Sequence, residues 1–385
     1  MKVLLVHNDY GKYSGEEAVV DKMAGMLGAL GHEVAQLRMT TAGARESLSG
    51  KIRGFVSGVY CPSGVKAMRE ALRREKPDVV NVHNLFPFIT PAALRECKTA
   101  GVPVIMTVHN FRLICPTGLF MRDNRPCEFC LEKGNEWGCV RYNCEHSILK
   151  SVGYAARNAV ARLQRHYVDC VDCFACITDF QRRKLIAAGF PAEKIVVIPN
   201  SIDGGKEPES SKGDYVAFSG RISGEKGVDL IVEAARRNPG IQFRLAGAVR
   251  DKELVDKLPG NVKLEGYLHD EALNEFYKNA RFFVMASKWY EGFPMTILEA
   301  ANYGKAMIAP DHGGFSEIIG KGPDAIGVLF TPSDADALSD AIARLWASPS
   351  ESSRLGSAAY RKLRDHYSTE VVSAKWDNLV HTITK

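Results

Sequence analysis

The feature that most constrains the fold is an alternation of short β-rich runs with helical patterns, which occurs twice along the chain. The first series of strand patterns runs from Val3–His7 to Ile195–Ile198, and the second runs from Tyr215–Arg221 to Gly327–Phe330. Alternation of this kind is typical of βαβ units that build a parallel sheet. The sequence therefore predicts an α/β protein with two Rossmann-like sheets, whose ligands bind at the carboxyl ends of the strands.

The chain is too long, at 385 residues, for one compact core. The stretch Lys206–Gly213 is polar and rich in Ser, Pro and Glu, which is typical of a domain boundary. We predict an N-terminal domain of residues 1–199 plus 367–385 and a C-terminal domain of residues 206–366. The last helical pattern, Thr369–Thr384, is predicted to cross back onto the first domain, and the two sheets are predicted to face a central cleft.

The composition is that of a soluble globular protein, with 45% hydrophobic and 25% charged residues. The start of the chain reads as a short strand and not as a signal peptide, and no apolar run approaches membrane-spanning length. Ten Cys without an export signal indicate reduced thiols. We therefore expect a cytoplasmic protein, with the inner face of the membrane as a further possible location.

The net charge of +5 is unevenly spread. Residues 1–199 carry 27 Lys and Arg against 19 Asp and Glu, whereas the remaining residues carry 23 against 26. An excess of positive charge on the first half suits an anionic acceptor or peripheral contact with an anionic membrane. A scattered solvated surface is the alternative, and nucleic acid is not expected as a partner.

The strongest functional signal is a pair of carboxylates, Glu291 and Glu299, on either side of a predicted helix start. Pro294 suits the first turn of a helix, because the N–H group that it lacks has no partner there. The free N–H groups of Met295 and Thr296 then form a site that attracts anions. Carboxylates beside such a site suit a ligand that carries both hydroxyls and phosphates, such as a nucleotide sugar.

Two cations follow the first strand pattern of the second half. Arg221 ends that pattern, and Lys226 lies five residues further on. Arg presents a planar fork for two phosphate oxygens, and Lys adds a compact charge. A basic loop alone is most often solvated surface. Together with a helix start on a later strand of the same sheet, it favours phosphate binding.

The matching loop of the first half, Asn8–Gly15, lacks the full Gly-x-Gly-x-x-Gly fingerprint. Gly15 either lets the backbone approach a ligand or follows an ordinary helix N-cap at Ser14. His109 ends a strong strand pattern in the same half, so the rule on strand ends predicts that it contacts the ligand. A purely structural histidine is the alternative.

Taken in order, these residues resemble family 4 glycosyltransferases of the GT-B fold over essentially the whole chain. The motifs that carry the resemblance are the Gly15 loop, Lys76–Asn84, Thr107–Asn110, Pro199–Asp203, Gly220–Gly227, the Glu-x7-Glu element Glu291/Glu299 and Gly313–Glu317. The combination is specific, whereas each motif alone is weak. The resemblance implies retaining sugar transfer from a UDP- or GDP-sugar donor, with no metal or other cofactor needed for catalysis.

By this resemblance, Arg221 and Lys226 hold the donor diphosphate, Glu299 binds the ribose and Glu291 binds the sugar hydroxyls. The other implied contacts are Gly15 under the phosphates, His109 near the transferred sugar, and Tyr267, Leu268, Phe293, Pro294, Met295 and Thr296 along the donor. The residues that the resemblance assigns to catalysis are His109, Glu291, Arg221 and Lys226. The implied acceptor is a saccharide, lipid-linked in envelope polysaccharide synthesis, held by the first domain.

Three other functions fit parts of the pattern. A glycoside hydrolase also uses two carboxylates, but it needs them across one glycosidic bond and has no use for Arg221 and Lys226. A nucleotide-sugar epimerase of the same fold shares the donor site. A non-catalytic nucleotide-sugar-binding protein binds the donor without turnover.

Two further patterns concern metals. A polar stretch holds a cluster of cysteines that includes a Cys-x2-Cys pair: Cys115, Cys127, Cys130, Cys139 and Cys144. These residues predict either a structural zinc site or reduced thiols packed in a loop, since the outer spacings are irregular. Asp334-Ala335-Asp336 resembles a metal-binding motif, but its position before a helical pattern predicts an N-cap instead.

The helical pattern Ser151–Tyr167 is amphipathic. Its apolar side is formed by Val152, Ala156, Ala159, Val160 and Leu163, and its other side by Lys150, Arg157 and Arg165. The favoured prediction is that the apolar side packs on the sheet of its own domain. The alternative is contact with an anionic membrane.

Overall fold

The structure is a computed structural model that describes residues 1–10, 15–41, 57–205, 208 and 213–385. The predicted N-cap at Ser14 and most of the predicted linker Lys206–Gly213 lie outside the described residues. Within the described residues, no helix combines the length and the apolar character that spanning a membrane requires.

The chain divides into two compact units. The first unit comprises Met1–Phe120, Cys127–Pro199 and Ser373–Lys385, and the second comprises Met121–Pro126 and Asn200–Val372. The return to the first unit thus begins later than the predicted residue 367. The reason is local pairing, because Ile202 N donates to Tyr367 O and Thr369 N donates to Ile202 O, each at 3.1 Å. These bonds keep the start of the last helix with the second unit.

A six-stranded parallel sheet forms the centre of the first unit. Its strands lie in the order Glu33–Thr40, Lys2–Asp9, Val79–Asn84, Val104–Val108, Cys173–Cys176 and Ile195–Val197. The two middle strands are buried along their whole length, as expected where helices cover both faces of a sheet. The α-helices described in this part of the chain are Gly15–Ala29, Pro62–Glu75, Leu94–Thr99, Phe129–Lys133, Trp137–Arg141, Ile148–Leu163, His166–Cys170 and Asp179–Ala187.

The second unit holds another six-stranded parallel sheet. Its strands lie in the order Val262–Gly266, Phe243–Ala246, Tyr215–Ser219, Ala280–Val284, Met307–Pro310 and Gly327–Phe330. The α-helices described here are Val228–Arg237, Asp270–Asn279, Met295–Asn302, Gly313–Ile319, Ala335–Ala347 and Pro349–Lys362, and Thr369–Ile383 runs from this unit into the first. This strand order reverses between Tyr215–Ser219 and Ala280–Val284, which is the point where open α/β sheets bind ligands. The predicted α/β class with two parallel sheets is confirmed.

The predicted N-cap before the helix Ala335–Ala347 is also confirmed. Asp334 Oδ1 accepts the backbone N–H groups of Asp336 at 3.0 Å and Ala337 at 2.9 Å. Because the carboxylate already satisfies two free N–H groups of the helix start, it acts as a cap.

The favoured packing of the amphipathic helix is wrong. The helix spans Ile148–Leu163, and the residues that it buries are Ser151, Gly153, Ala155, Arg157, Asn158 and Ala161. Val152 and Leu163, predicted to pack on the sheet, are exposed, whereas Arg157 is buried. Hydrogen bonds from Arg157 and Asn158 to carbonyl groups of the segment 112–116 turn the polar side of the helix inward.

Candidate functional site

The second unit places two cations after its strand Tyr215–Ser219. Arg221 and Lys226 lie in a tight loop that Gly227 ends with a φ of +69°. A Cβ at Gly227 would lie 1.9 Å from the carbonyl oxygen of Ala286, just beyond the neighbouring strand. The loop therefore packs against the end of that strand only because this position is glycine.

Several side chains converge on the carboxylate of Glu291. Lys226 Nζ lies 2.6 Å from Glu291 Oε1. The same oxygen accepts hydrogen bonds from Trp289 Nε1 at 2.6 Å and from Ser287 Oγ at 2.9 Å. The Trp289 ring also contacts both cations, since its centroid lies 5.6 Å from the guanidinium carbon of Arg221 and 5.3 Å from Lys226 Nζ. The predicted Arg221, Lys226 and Glu291 are thus brought together.

Glu291 is ionised at neutral pH. Burial alone raises the pKa of its carboxyl group, but the charge of Lys226 and the hydrogen bonds from Lys226, Trp289 and Ser287 outweigh burial and lower the pKa. An ionised carboxylate only accepts hydrogen bonds, so Glu291 suits ligand hydroxyls. The Arg221 side chain is 48% exposed, and its ion pair with Glu225 is loose at 3.6 Å.

A helix begins between the two predicted glutamates. It spans Met295–Asn302, with Pro294 as an extended N-cap residue. The first N–H groups of a helix have no acceptor one turn before them, so this helix start attracts anions. Thr296 Oγ1 lies 3.5 Å from the carbonyl oxygen of Ser219. This contact ties the helix start to the end of the strand that precedes the two cations.

Glu299 has a different environment from Glu291. The hydroxyl of Tyr277 donates to Glu299 Oε2 at 2.6 Å, and the Tyr277 ring stacks on Phe283 at 4.6 Å. Burial raises the pKa of the Glu299 carboxyl, and the hydrogen bond from Tyr277 offsets this only in part. One carboxylate oxygen of Glu299 is therefore held in place by a packed aromatic ring.

The segment that carries Glu291 is supported by the turn that starts the helix Gly313–Ile319. Gly314 N donates to Glu291 O at 2.9 Å, and a Cβ at Gly314 would lie 2.6 Å from Gly292 O. His312 Nε2 lies 2.9 Å from Ser287 O, and burial lowers the pKa of its ring. The Gly-Gly pair is explained by this close approach of two backbones.

The other predicted donor contacts are more scattered. Tyr267 is 74% exposed beyond the edge strand Val262–Gly266, and Leu268 beside it is half-buried. Phe293 and Pro294 are buried, and the Phe293 ring lies 5.7 Å from that of Tyr367. Phe293 therefore packs the segment in place, while Tyr267 is open to solvent.

In the first unit, His109 follows the strand Val104–Val108 and stacks on His83 of the neighbouring strand. The ring centroids are 5.1 Å apart, and His83 Nδ1 lies 2.8 Å from His109 Nε2. One of these nitrogens donates and the other accepts, so the tautomers of the two rings are coupled. Burial lowers the pKa of both rings, which keeps them neutral at pH 7.

A buried carboxylate lies beside this pair of rings. Glu16 Oε2 accepts the hydroxyl of Tyr10 at 2.6 Å, and Glu16 Oε1 accepts Asn110 Nδ2 at 2.7 Å. Arg112 Nη1 donates to the Tyr10 oxygen at 3.1 Å. Burial alone raises the pKa of Glu16, but interactions with His109 and Arg112 outweigh it and lower the pKa. His109 thus belongs to a polar network.

Gly15 is the exposed first residue of the helix Gly15–Ala29. A Cβ built on it meets no described atom within 4 Å. Packing within the described residues therefore does not require glycine here, and the predicted phosphate contact of Gly15 stays a prediction.

The five candidate zinc ligands precede the helix Ile148–Leu163, with Cys130 in the short helix Phe129–Lys133 and Cys139 in the short helix Trp137–Arg141. Cys139 is buried, and the half-buried thiols are Cys115, Cys127, Cys130 and Cys144. Burial raises the pKa of Cys130 to about 12. A hydrogen bond with Cys144, followed by burial, raises the pKa of Cys139. Cys130 and Cys139 are therefore protonated at neutral pH.

Within the described residues, two groups of three side chains bring possible ligand atoms within 4.8 Å of one another. They are His32, Asp377 and His381, and His7, Asp9 and Glu17. Neither group contains a cysteine, so among the described residues no three of the five thiols lie within that distance of one another. A structural zinc ion stays a prediction. Metal analysis of protein purified under reducing conditions tests it: absence of stoichiometric zinc, together with no effect of Cys127→Ser, would contradict it.

Sequence reasoning did not assign several residues to these sites: Ser287, Trp289, Tyr277, Tyr10, Glu16, His83 and Arg112. His83 could have been found, because it lies near the end of a predicted strand next to the one before His109. Trp289 and Tyr277 carry no comparable signal, since their roles depend on where their rings pack.

Two family models match this chain. The model described as Glycosyltransferase Family 4 matches residues 13–204, and the model described as Glycosyl transferases group 1 matches residues 202–362. With the two parallel sheets, these matches define the class of the protein, a glycosyltransferase of the GT-B fold. The chain belongs to family 4 of the glycosyltransferases, which confirms the resemblance seen in its motifs and the prediction of an enzyme.

Curated relatives are distant. The chain is 25% identical over 366 residues to a phosphatidylinositol N-acetylglucosaminyltransferase subunit of Arabidopsis thaliana, covering 87% of this chain and 72% of the relative. It is 27% identical over 220 residues to the exopolysaccharide phosphotransferase SCO2592 of Streptomyces coelicolor. That match covers 54% of this chain and spans only 23% of the length of the relative.

A solved structure shares the fold. Anabaena Alr3699/HepE in complex with UDP superposes with a TM-score of 0.71 at 16% identity, covering 99% of this chain and 100% of that one. At this identity the likeness concerns the fold alone.

Proposed function

We propose that this protein is a retaining, metal-independent glycosyltransferase that moves a sugar from a UDP- or GDP-sugar to a saccharide acceptor in the cytoplasm. The convergence of Lys226, Trp289 and Ser287 on the ionised carboxylate of Glu291 supports this most directly. A carboxylate beside cations and a helix start matches a ligand that has hydroxyls next to phosphates. Anabaena HepE, which shares the fold, was solved with UDP.

In this proposal the donor lies along the second unit, and each of its parts contacts a different group of residues. Arg221, Lys226 and the N–H groups at Met295 and Thr296 hold the diphosphate. Glu291 accepts hydrogen bonds from the sugar hydroxyls. Glu299, with one oxygen already held by Tyr277, accepts the ribose hydroxyls with the other. In this proposal Tyr267, Leu268, Phe293 and Pro294 also lie along the donor. Gly15 lies under its phosphates.

The proposed chemistry needs no enzymic nucleophile. The bond between the anomeric carbon and the phosphate oxygen breaks, and the acceptor oxygen bonds to that carbon on the same face. The acceptor proton passes to the departing phosphate. Negative charge grows on the diphosphate during this step, so preset donors there stabilise the transition state. His109, neutral and held by His83, is proposed to contact the transferred sugar.

The proposed acceptor is a lipid-linked saccharide of envelope polysaccharide synthesis. The Arabidopsis relative is named for transfer to phosphatidylinositol, and the positive excess of residues 1–199 suits an anionic acceptor carrier. The first unit is proposed to bind it.

A thermal-shift screen of UDP-, GDP- and ADP-sugars tests the donor. A ligand at about 100 times its Kd adds about 2.7 kcal/mol to the free energy of unfolding, which corresponds to a Tm increase of about 3 °C for a chain of this length. The proposal is wrong if no nucleotide sugar stabilises the protein. Conversion of the free donor without an acceptor indicates an epimerase instead, and an inverted anomeric configuration in the product rules out retention.

A further inference from the structure

The helix Ile148–Leu163 turns its apolar side to solvent. Ile148 is 58% exposed, Leu149 69%, Val152 42% and Leu163 71%. At 100° per residue, these four side chains and the half-buried Ala156 and Ala159 between them fall within an arc of about 100°. This apolar stripe extends over about 22 Å, the length of the helix. Contiguous exposed apolar surface of this kind marks an interaction site.

The fold holds the helix in this orientation. Arg157 Nη2 donates to Pro116 O at 2.6 Å, and its guanidinium lies 4.4 Å from the ring centroid of Phe86. Asn158 Nδ2 donates to Arg112 O at 2.6 Å. Rotating the helix to bury the apolar stripe would break these bonds and leave buried polar groups without partners, which is costly. The hydrogen bonds of Arg157 and Asn158 therefore keep the apolar stripe exposed on the first unit.

The segment that carries the apolar stripe has an excess of positive charge. From Phe129 to Arg165 the chain holds six Lys and Arg against three Asp and Glu. The exposed cations are Lys133, Arg141, Lys150, Arg162 and Arg165, of which Arg162 forms an ion pair with Glu136 and Arg165 with Asp169. The short helix Trp137–Arg141 packs against this helix, and its Trp137 is 72% exposed. Exposed tryptophan, an apolar helix face and flanking cations are the features of helices that lie in the headgroup region of a membrane.

We propose that the apolar stripe, with Trp137, docks the first unit on an anionic lipid bilayer. Leu149, Val152 and Leu163 enter the boundary between headgroups and acyl chains, and the surrounding cations contact lipid phosphates. Charge complementarity selects this partner over a second copy of the chain, because two copies would bring their positive rims together. The occupant is the bilayer surface itself, and the helix lies on it without crossing it.

Membrane docking of this helix would affect how the first unit meets a lipid-linked acceptor. Asn158 and Arg157 fix the segment 112–116, and Arg112 belongs to the polar network of His109. A membrane-bound helix thus holds the first-unit site close to the lipid surface, where a lipid-linked acceptor resides. This consequence rests on the proposed function, whereas membrane binding does not.

Sedimentation with lipid vesicles tests the proposal. We expect the protein to bind vesicles that contain phosphatidylglycerol and to bind neutral phosphatidylcholine vesicles much more weakly, with binding that falls as salt rises. The double variant Leu149→Asp/Leu163→Asp should lower the partition coefficient at least tenfold, because it removes two large apolar groups from the interface. Leu30→Asp, which changes an exposed leucine elsewhere in the first unit, should leave it unchanged.

No donor or acceptor is present in this experiment, so its outcome is independent of sugar transfer. Absence of binding to anionic vesicles overturns the proposal, and so does equal binding by the double variant. A dimer that the double variant dissociates, without any vesicle binding, shows that a second copy covers the stripe. Because all three positions are exposed, we expect the variants to fold. Circular dichroism checks this.

Discussion

The charged state of Glu291 depends on its contact with Lys226. The carboxyl pKa is lowered in the folded protein, so its contribution to stability is present above the unfolded pKa of about 4.3 and is lost as the pH falls through the folded value. In Lys226→Met, burial dominates and raises the pKa. We expect the free energy of unfolding to fall by about 1–3 kcal/mol at pH 7. Urea unfolding should show a smaller difference between variant and wild type below about pH 4, and equal stability at pH 7 contradicts the pairing.

Glu291→Ala tests the role of this carboxylate in catalysis. We expect kcat/KM for transfer to fall at least 100-fold, about 2.7 kcal/mol, because the sugar hydroxyls lose their acceptor. Binding of the nucleoside diphosphate, measured by calorimetry, should persist, since Arg221, Lys226 and the helix start remain. Asp340→Ala, which changes an exposed acid on another helix, is the control. Full activity of Glu291→Ala refutes the assigned role.

At this scale the charged members of the site could be predicted, and their partners could not. Arg221, Lys226 and Glu291 follow strands whose ends meet at the point where the sheet order reverses, so their proximity follows from sequence order. Trp289 was missed because its role depends on which way an indole turns from an irregular loop. That direction is set by packing, which local sequence does not encode.

The loop that carries Lys226 depends on one close backbone contact. Gly227→Ala puts a Cβ where only 1.9 Å separates it from Ala286 O, at a φ of +69°. We expect a loss of at least about 2 kcal/mol in the free energy of unfolding, together with weaker nucleotide binding. Thermal unfolding with and without nucleoside diphosphate measures both effects.

The matched control lies in the same loop. Gly224→Ala places its Cβ 3.9 Å from Asp251 Oδ2, in ordinary contact. It should change stability by less than about 1 kcal/mol. If both substitutions cost the same, the contact of Gly227 with Ala286 does not hold the loop.

Elements differ in how well the sequence predicts them. Strands such as Gly327–Phe330 and helices such as Met295–Asn302 agree closely with their patterns, because turn residues and hydrophobic period are local signals. The sequence also predicts the helix Ile148–Leu163, but the side that it predicts to be buried is wrong. Periodicity shows which side is apolar, whereas Arg157 and its partner Pro116, far apart in sequence, decide which side faces inward.

The last helix, Thr369–Ile383, belongs in part to the first unit, although it lies at the opposite end of the chain. Trp376 and Val380 are buried, and Asp377 Oδ1 lies 2.9 Å from His32 Nε2. We expect Trp376→Ala to lower the free energy of unfolding by about 3–5 kcal/mol, because it leaves a large cavity. Lys375→Ala, on the exposed side of the same helix, should have little effect. Guanidinium unfolding of the full chain compares them, and equal effects contradict docking of this helix.

The sequence by itself determined the two α/β halves, the order of their strands along the chain, and the charged residues that follow the strands. These properties depend on spacing and period, which are local. Only the tertiary structure decided that His83 stacks on His109, that Glu291 is held by Trp289, and that an apolar stripe faces solvent. These outcomes depend on contacts between distant segments, where hydrogen bonding of buried polar groups outweighs the preference of apolar side chains for the interior.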